Sequence, residues 1–512
     1  MKAQEIEYIL PISLVNDIIW RLIGMDAKEI KNMGKKLSAF LKQFDDCFYR
    51  SQPRGHLKSY VRGQVSSLQR KSAEPIALLT KTPPRTLQRF LSYVHWDEQR
   101  LRDRIQWIVT QDHAHPDAIG TVDDSGHPKQ GRHTACVQRQ WCGNTGKRDN
   151  CVVSVHIGYT ISDFQCLLDS DLYLPQSWAD DPERCKEAGI SKEVVYRKKT
   201  DIALDQIARA LANGIRVFAW TFDEWYGRDG IFLDGLHNLG QNYVAEVPVN
   251  FTGWVKEPHI LLNPRTEKRH KRGRRRHFPR LSAKALPASE VQNLLVYSRK
   301  FQKQRWKKFY IKEGEKGPVV WEVKWSKFYR KQGTDGLPGS AHCLIVARNV
   351  LNPGEIKYFV SNMLPGSNGI ALEKLLRVAF SRWPIERCFK LAKNEIGMDH
   401  FEIRSWCGIH RHLYISQLSQ LFCCRVHQDL REKNSTQFLS DSRAGSLCGI
   451  RVGGRSEFST FGSETGLLSS RRDNPIPTKT QSAGSRTSFP AKAAEIASLG
   501  HRSREVTLLY SG

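Results

Sequence analysis

AIGTVDD, residues 118–124, is the stretch on which the fold turns. Ile119, Thr121 and Val122 are β-branched, and the run ends in two adjacent acids, so it predicts a strand that delivers carboxylates. Ser125-Gly126-His127-Pro128 reads as the turn that closes it. Two further strand-like runs follow, HTACVQRQW (133–141) and CVVSVHIGYT (151–160), with a second turn signal at 142–146 between them. DIALDQIARALA (201–212) then carries Leu204, Ile207, Ala208 and Leu211 at helical spacing and stops at Asn213-Gly214. IRVFAWTF (215–222) is a buried-type strand that runs straight into Asp223. RDGIFLDGLHNLG predicts a short helix, and NYVAEVPV another strand.

The order is three strands, helix, strand, helix, strand. Short separations suit hairpins and the longer ones suit parallel crossovers. This is an α/β pattern with the ribonuclease H-like topology, a mixed sheet flanked by helices. The sheet pattern is expected over 113–250 and is interrupted by a β-rich, basic insertion over 251–360 (VVWEVKWSKFY, AHCLIVARNV, EIKYFVSN). The core resumes over 361–428 with ALEKLLRVAF (371–380), RWPIERCFKLAKNEIGMDHFEIRSW (382–406) and HRHLYISQLSQLFCC. Residues 1–112 read as a helical DNA-binding domain in which TPPRTLQRFL suits a helix-turn-helix reader, and a plain helical packing domain suits the stretch as well. Residues 429–512 are rich in Ser, Gly, Thr and Arg, lose hydrophobic periodicity, and read as a disordered tail, with a frameshifted reading frame as one origin for it.

Charge narrows the function classes. Lys and Arg number 79 against 52 acids, a formal charge of +27. Such a surplus calls for a polyanionic partner, and nucleic acid is the default. No stretch approaches 18 uncharged apolar residues, and acids among the first 25 residues argue against a secretory signal, so an intracellular protein with no membrane partner is expected. The 12 cysteines fit no zinc-module spacing and are read as reduced.

Three carboxylates stand at related places. Asp123 ends the first strand, Asp223 ends the fourth, and Glu386 lies in the first turn of the helix that follows the insertion, with Pro384 at its start and Gly397 just past its end. The first and fourth strands of this topology are neighbours, so the three can converge. Convergent carboxylates suit Mg2+, with Mn2+ as a substitute, because a phosphate and water complete the oxygen shell. Two such ions about 4 Å apart serve in-line phosphoryl displacement. Asp123 and Asp124 compete for the first position, the other being a supporting group.

Four stretches carry a resemblance to bacterial insertion-sequence transposases of the DDE superfamily, in the branch with a β-rich insertion before its Glu. They are TVDDSGHPKQGRHTACVQRQWCGNTGKRDNCVVSVHIGY, DLYLPQSWADDPERCKEAGI, FDEWYG and RWPIERCFKLAKNEIGMDHFEIRSWCGIHRHL. The likeness covers roughly residues 30–428. The branch has a signature Y-x2-R-x3-E-x6-K. Arg382, Glu386 and Lys393 keep its spacing, whereas the Tyr position is Ala379 with Phe380 beside it. The resemblance implies a transposase that cuts at element ends and joins the 3′-OH to target DNA with two Mg2+ ions. It implies double-stranded DNA partners (terminal inverted repeats and target), a homodimer pairing two ends, and a setting at the bacterial nucleoid. It makes Arg382 and Lys393 phosphate contacts. By helical spacing, Glu386 and Lys393 share one face.

The run RTEKRHKRGRRRHFPR (265–280), with Arg272, Arg274, Arg275 and Arg276, suits phosphate tracking, and a solvated loop suits it as well. Trp306, Trp321 and Trp325 lie among Lys and Arg and are candidates for stacking on an unpaired base. Lys129, Arg132 and Lys147 are candidate DNA contacts or solvated turn residues. Two rival functions remain open at this point: a domesticated nuclease that cuts without joining, and a DNA-binding remnant without catalysis.

Overall fold

The computed structural model describes residues 27–445, apart from 163, 262–277, 315–316 and 334–335. The N-terminal part is helical: α1 (Ala27–Lys42), α2 (Ser51–Gln64), α3 (Ala73–Leu79), α4 (Pro84–Ser92) and α5 (Glu98–Asp112). Pro83-Pro84 opens α4, where a missing N–H costs nothing. Asp97 caps α5 by accepting from the Arg100 N–H at 2.8 Å.

These helices share one hydrophobic core with the sheet. Met33, Leu37, Phe40, Phe90 and Ile105 belong to the same buried cluster as Val122, Trp220 and Phe222. The C-terminal helix binds the two parts together. Inside it, His412 meets the Tyr60 hydroxyl at 2.8 Å and Ser416 accepts from Gln64 at 2.8 Å. Arg411 donates to the carbonyls of Leu91 and Val94 at 3.1 and 2.7 Å.

The first strands are β1 (Ile119–Pro128), β2 (Gln138–Cys142), β3 (Lys147–Ile161) and β4 (Phe164–Leu172). After the short helices α6 (Gln176–Ala179) and α7 (Pro182–Glu187) come α8 (Lys199–Ala212), β5 (Ala219–Phe222), α9 (Glu224–Gly227), α10 (Gly230–Asn238) and β6 (Tyr243–Val247). β4, β3 and β1 pair antiparallel, and β1, β5 and β6 pair parallel. The spatial order β4-β3-β1-β5-β6 is the ribonuclease H-like core expected from the sequence.

Three details differ from the sequence reading. The turn signal at 125–128 is strand, because Gly126 lets the chain at Cys142 lie against it; a Cβ there would come within 2.7 Å of the Cys142 sulfur. The second strand is confined to 138–142, and Ala135, Cys136 and Val137 are buried off the sheet, Cys136 with φ +65. β4 was not expected at all, since its acids resemble loop residues. Asp169 is fully buried there against Arg102 and Arg209, at 2.8 and 2.9 Å.

Most of the insertion extends the core sheet, while two of its strands, Ile260–Leu261 and Arg280–Leu281, pair with each other in a small sheet of their own. Its strands are β7 (Thr252–Trp254), β8 (Ile260–Leu261), β9 (Arg280–Leu281), β10 (Ser289–Glu290), β11 (Lys307–Gly314), β12 (Gly317–Gln332), β13 (Leu337–Asn349) and β14 (Ile356–Ser361). β14 pairs antiparallel with β6, then β13, β12, β7 and β10 follow outward. Helices α11 (Val291–Tyr297) and α12 (Arg299–Gln302) precede β11. The chain then forms α13 (Leu372–Ala379), α14 (Trp383–Leu391), a π-helical turn at Ala392–Ile396, and α15 (Trp406–Gly445). α15 runs past residue 429, where the tail was expected to begin; the rest of that tail lies outside the described residues.

Candidate active site

The parallel register of β1 on β5 builds the site. Ile119 pairs with Ala219, Gly120 with Trp220 and Thr121 with Thr221, so Asp123 comes level with Asp223. Gly120 is part of the reason this register closes: a Cβ there would come within 2.4 Å of the Trp220 ring. Asp223 is also the N-cap of α9. Its Oδ1 accepts from the Trp225 and Tyr226 N–H groups at 3.0 and 3.2 Å, which fixes its direction.

Both aspartates are poorly solvated. Burial raises the proton affinity of Asp123 well above the ordinary carboxylate value, and the charges of Asp223 and Asp124 add to the effect. Burial also raises that of Asp223, against its two backbone hydrogen bonds and Arg382. Two acids pressed together in this way favour an added positive charge.

Part of that charge comes from Arg382, just before α14. Its guanidinium lies 3.4 Å from Asp123 and 2.7 Å from Glu386. Burial works against the charge on Arg382, but Asp123, Glu386, Asp223 and Glu246 outweigh it and hold the proton more firmly than usual. Pro384 stands in the first turn of α14, as expected. Among the described residues, no three acidic, His or Cys side chains converge closely enough to hold an ion, because Arg382 lies between Glu386 and Asp123. The donor types nevertheless suit a hard divalent cation: all three are carboxylates, and two of them are crowded and short of countercharge.

Asp124 has a different environment. Side chains alternate along a strand, and Asp124 pairs with Lys199, the first residue of α8, at 2.9 Å. That ammonium also lies 5.1 Å from the centre of the Trp225 ring. The role of Lys199 was not foreseen, since nothing near it in sequence marks it.

Lys393 is placed unlike the sequence expectation. α14 ends at Leu391, and Lys393 lies at the start of the π-helical turn that follows. Its side chain is buried and donates to the Gly126 carbonyl at 2.9 Å, so it braces β1 from beneath. Burial depresses its proton affinity. Gly397 ends the turn with φ +76, as its sequence position suggested.

Under the site runs a buried polar chain that the sequence did not reveal. His127 meets Ser154 at 2.7 Å, Ser154 meets His156 at 2.7 Å, and His156 meets Ser170 at 2.5 Å. Gln417 of α15 donates to Ser170 at 2.6 Å. His156 is the β3 partner of Asp123, and burial pushes its pKa down to about 3. Alternation of strand residues is the signal that could have placed His156 inward.

The other candidates divide. Arg272, Arg274, Arg275 and Arg276 lie outside the described residues. Lys129 is not a free contact: it donates to the Asp399 carbonyl at 2.7 Å and covers the Phe401 ring at 3.6 Å. Trp321 is 6% exposed and packs on Phe380 at 4.9 Å, so the aromatic beside Ala379 serves the insertion core. Trp306 lies between Lys324 and Arg348, 4.8 and 4.3 Å from its ring centre. Trp325 lines a cavity of about 570 Å³ with Phe309, Lys300, Arg305, Lys307 and Lys327.

Comparison with known proteins found two likenesses. Residues 43–318, more than half of the chain, match the family model described as DDE superfamily endonuclease. The matched span includes Asp123 and Asp223 and ends before Glu386. The probable transposase for insertion sequence element IS701 of Microchaete diplosiphon is 30% identical over 191 residues, 37% of this chain and 47% of that protein. The chain therefore spans about half the length of that curated relative.

Proposed function

The chain belongs to the DDE superfamily of endonucleases, and on that premise we propose that it is an insertion-sequence DNA transposase whose catalytic residues are Asp123, Asp223 and Glu386. The observation that carries this reading is the level placement of Asp123 and Asp223 on adjacent parallel strands, with Arg382 joining Asp123 to Glu386. The relative's printed description, a transposase, supports the same reading.

The three carboxylates would hold two divalent cations, Mg2+ by the hardness of the oxygen donors, with Mn2+ able to replace it. Bound there, such ions supply Lewis acidity at a phosphoryl oxygen and make an attacking water more acidic. The remaining work belongs to the chain. The α9 N–H groups hold Asp223 in one direction. Lys199 neutralises Asp124, which favours Asp123 as the reacting carboxylate and Asp124 as its support. Arg382 has a forked donor set that suits a DNA phosphate once Glu386 turns to a cation. Lys393 holds β1 through the Gly126 carbonyl and lies within electrostatic reach of Asp123, so it supports the same site.

In the first step water adds to phosphorus at the element end and the bond to the 3′ oxygen breaks, leaving a 3′-OH and a 5′-phosphate. In the second, that 3′-OH adds to a phosphorus of target DNA, or of the opposite strand in a hairpin route, and the bond from that phosphorus to its own 3′ oxygen breaks, releasing a new 3′-OH. Double-stranded DNA carrying terminal inverted repeats is the substrate, a homodimer pairs the two ends, and the bacterial nucleoid is the setting. Among the described residues no helix is long and apolar enough to cross a membrane. The basic run 265–280 supplies phosphate contacts, and the Trp325 cavity accommodates an unpaired base.

The test is cleavage and joining of DNA bearing the flanking repeats, with Mg2+, by wild type and by Asp123→Ala, Asp223→Ala and Glu386→Gln. Loss of both products in each variant is expected. Variants that cut like wild type would refute the site. Cutting without joining in wild type would favour a domesticated nuclease, and binding without cutting a remnant.

A further inference from the structure

β3 is longer than its partner β1. β1 covers β3 from Cys151 to Thr160, the Lys129 N–H still bonds the Asn150 carbonyl at 2.9 Å, and β3 continues to Lys147 paired with β2. The result is a two-stranded ribbon at the end of the sheet that carries Asp223, curled back so that Cys142 lies against Gly126. Cross-strand pairs are Arg139 with Asn150, Gln140 with Asp149 and Trp141 with Arg148. Alternation therefore gives the ribbon two unlike faces.

The inner face is pinned. Cys142 and Cys151 are buried with Val153, Tyr173 packs against them, and Ser177 donates to Gln138 at 2.8 Å. The outer face shows Arg139, Trp141 and Arg148, all exposed, with Trp141 at 63%. Asp149 belongs to the inner face, so this outer strip carries two guanidinium groups and no acid. Among the described residues neither arginine has an ion-pair partner, although aspartates and glutamates engage many of the other arginines. An exposed indole between unpaired cations on a rigid ribbon is arranged for a polyanion with flat, apolar parts.

We propose that the outer face of this ribbon is a duplex-DNA contact, with Arg139 and Arg148 on phosphates and Trp141 packed against sugar and base edge. This rests on the transposase reading, since it assigns a part of the same substrate. The placement keeps the contact near the site. The ribbon curls back over β1, so that Cys142, next to Trp141, lies against Gly126, three residues beyond Asp123. It acts as a grip on the duplex beside the carboxylates, without reading sequence.

The experiment uses the full chain and a blunt duplex of arbitrary sequence, about 30 base pairs long, over a range of salt concentrations. Each phosphate contact contributes about 0.9 to the slope of log affinity against log salt. Arg139→Ala/Arg148→Ala should lower the slope by about 2. Trp141→Ala should weaken binding about tenfold with the slope intact. Arg139→Lys/Arg148→Lys should keep the slope, which separates lost charge from lost folding. An alanine double variant with the wild-type slope would overturn the proposal. If wild type cuts repeat-bearing DNA while the ribbon variants bind as before, only the ribbon assignment fails; if wild type binds no duplex, the transposase reading fails with it.

Discussion

Arg382 and Lys393 flank Glu386 in one short stretch and have very different surroundings. The Arg382 guanidinium sits among Asp123 and Glu386 at the open end of the site, with 26% of its side chain exposed. The Lys393 ammonium is buried beneath β1 on the Gly126 carbonyl. Arg382 precedes α14, whereas Lys393 lies past its end in the π-helical turn. Equal spacing in sequence therefore did not give equal surroundings in space. One cation bridges two carboxylates and the other holds a strand.

The largest expected effect isolates Arg382. Arg382→Ala should leave thermal stability nearly unchanged while cleavage falls about 10²–10³-fold, the usual loss for one donor to a developing charge. Single-turnover cleavage beside a melting curve checks this, and a parallel fall in melting temperature would erase the contrast. Lys393→Met should behave oppositely. It removes a buried donor from the Gly126 carbonyl and should cost about 1–3 kcal/mol of stability in urea denaturation, with cleavage per folded molecule largely kept.

A binding prediction sharpens the site side. Mg2+ at about ten times its dissociation constant should stabilise the wild type by about 1.4 kcal/mol, as linkage requires. Asp123→Asn should lose most of that increment, and calorimetry with and without Mg2+ reads it. A pH prediction sharpens the Lys393 side. Burial lowers its folded proton affinity below the ordinary 10.5, so the unfolded chain binds more protons between the two values. Stability contributed by Lys393 must then rise as pH climbs through that window, and the wild-type advantage over Lys393→Met should widen from neutral pH towards 10.5. A constant difference across that range would show that the group does not titrate with folding. The smallest effect is a control. Arg70 pairs with Glu402 at 2.6 Å, but both side chains are more than half exposed. Arg70→Ala should change stability by under about 1 kcal/mol, showing that burial and not charge sets the value of Lys393.

The legible parts of the molecule are those whose partners lie in the local pattern. β1, β3, β5 and β6 announce themselves by β-branched runs, and Asp123, Asp223 and Glu386 by their positions at element ends. β4 was invisible because Asp169 and Asp171 look solvated until Arg102, Arg209 and His410 arrive from distant helices. Lys199 was missed for the same reason, since Asp124 precedes it by most of the core. The buried chain from His127 to Gln417 depends on the strand register and on α15, which no periodicity encodes. The insertion was recognised as β-rich, but its attachment to β6 is a pairing choice that composition does not carry.

That attachment has a consequence for anyone trimming the protein. β14, the innermost insertion strand, seals the flank of β6 with a ladder at Val244, Ala245, Glu246 and Val247. A miniature lacking it would bare a row of unpaired amides on an apolar strand, a template for fibre-like stacking between copies. Minimisation of this chain therefore starts from a choice of what will cap that strand, before any question of retained activity.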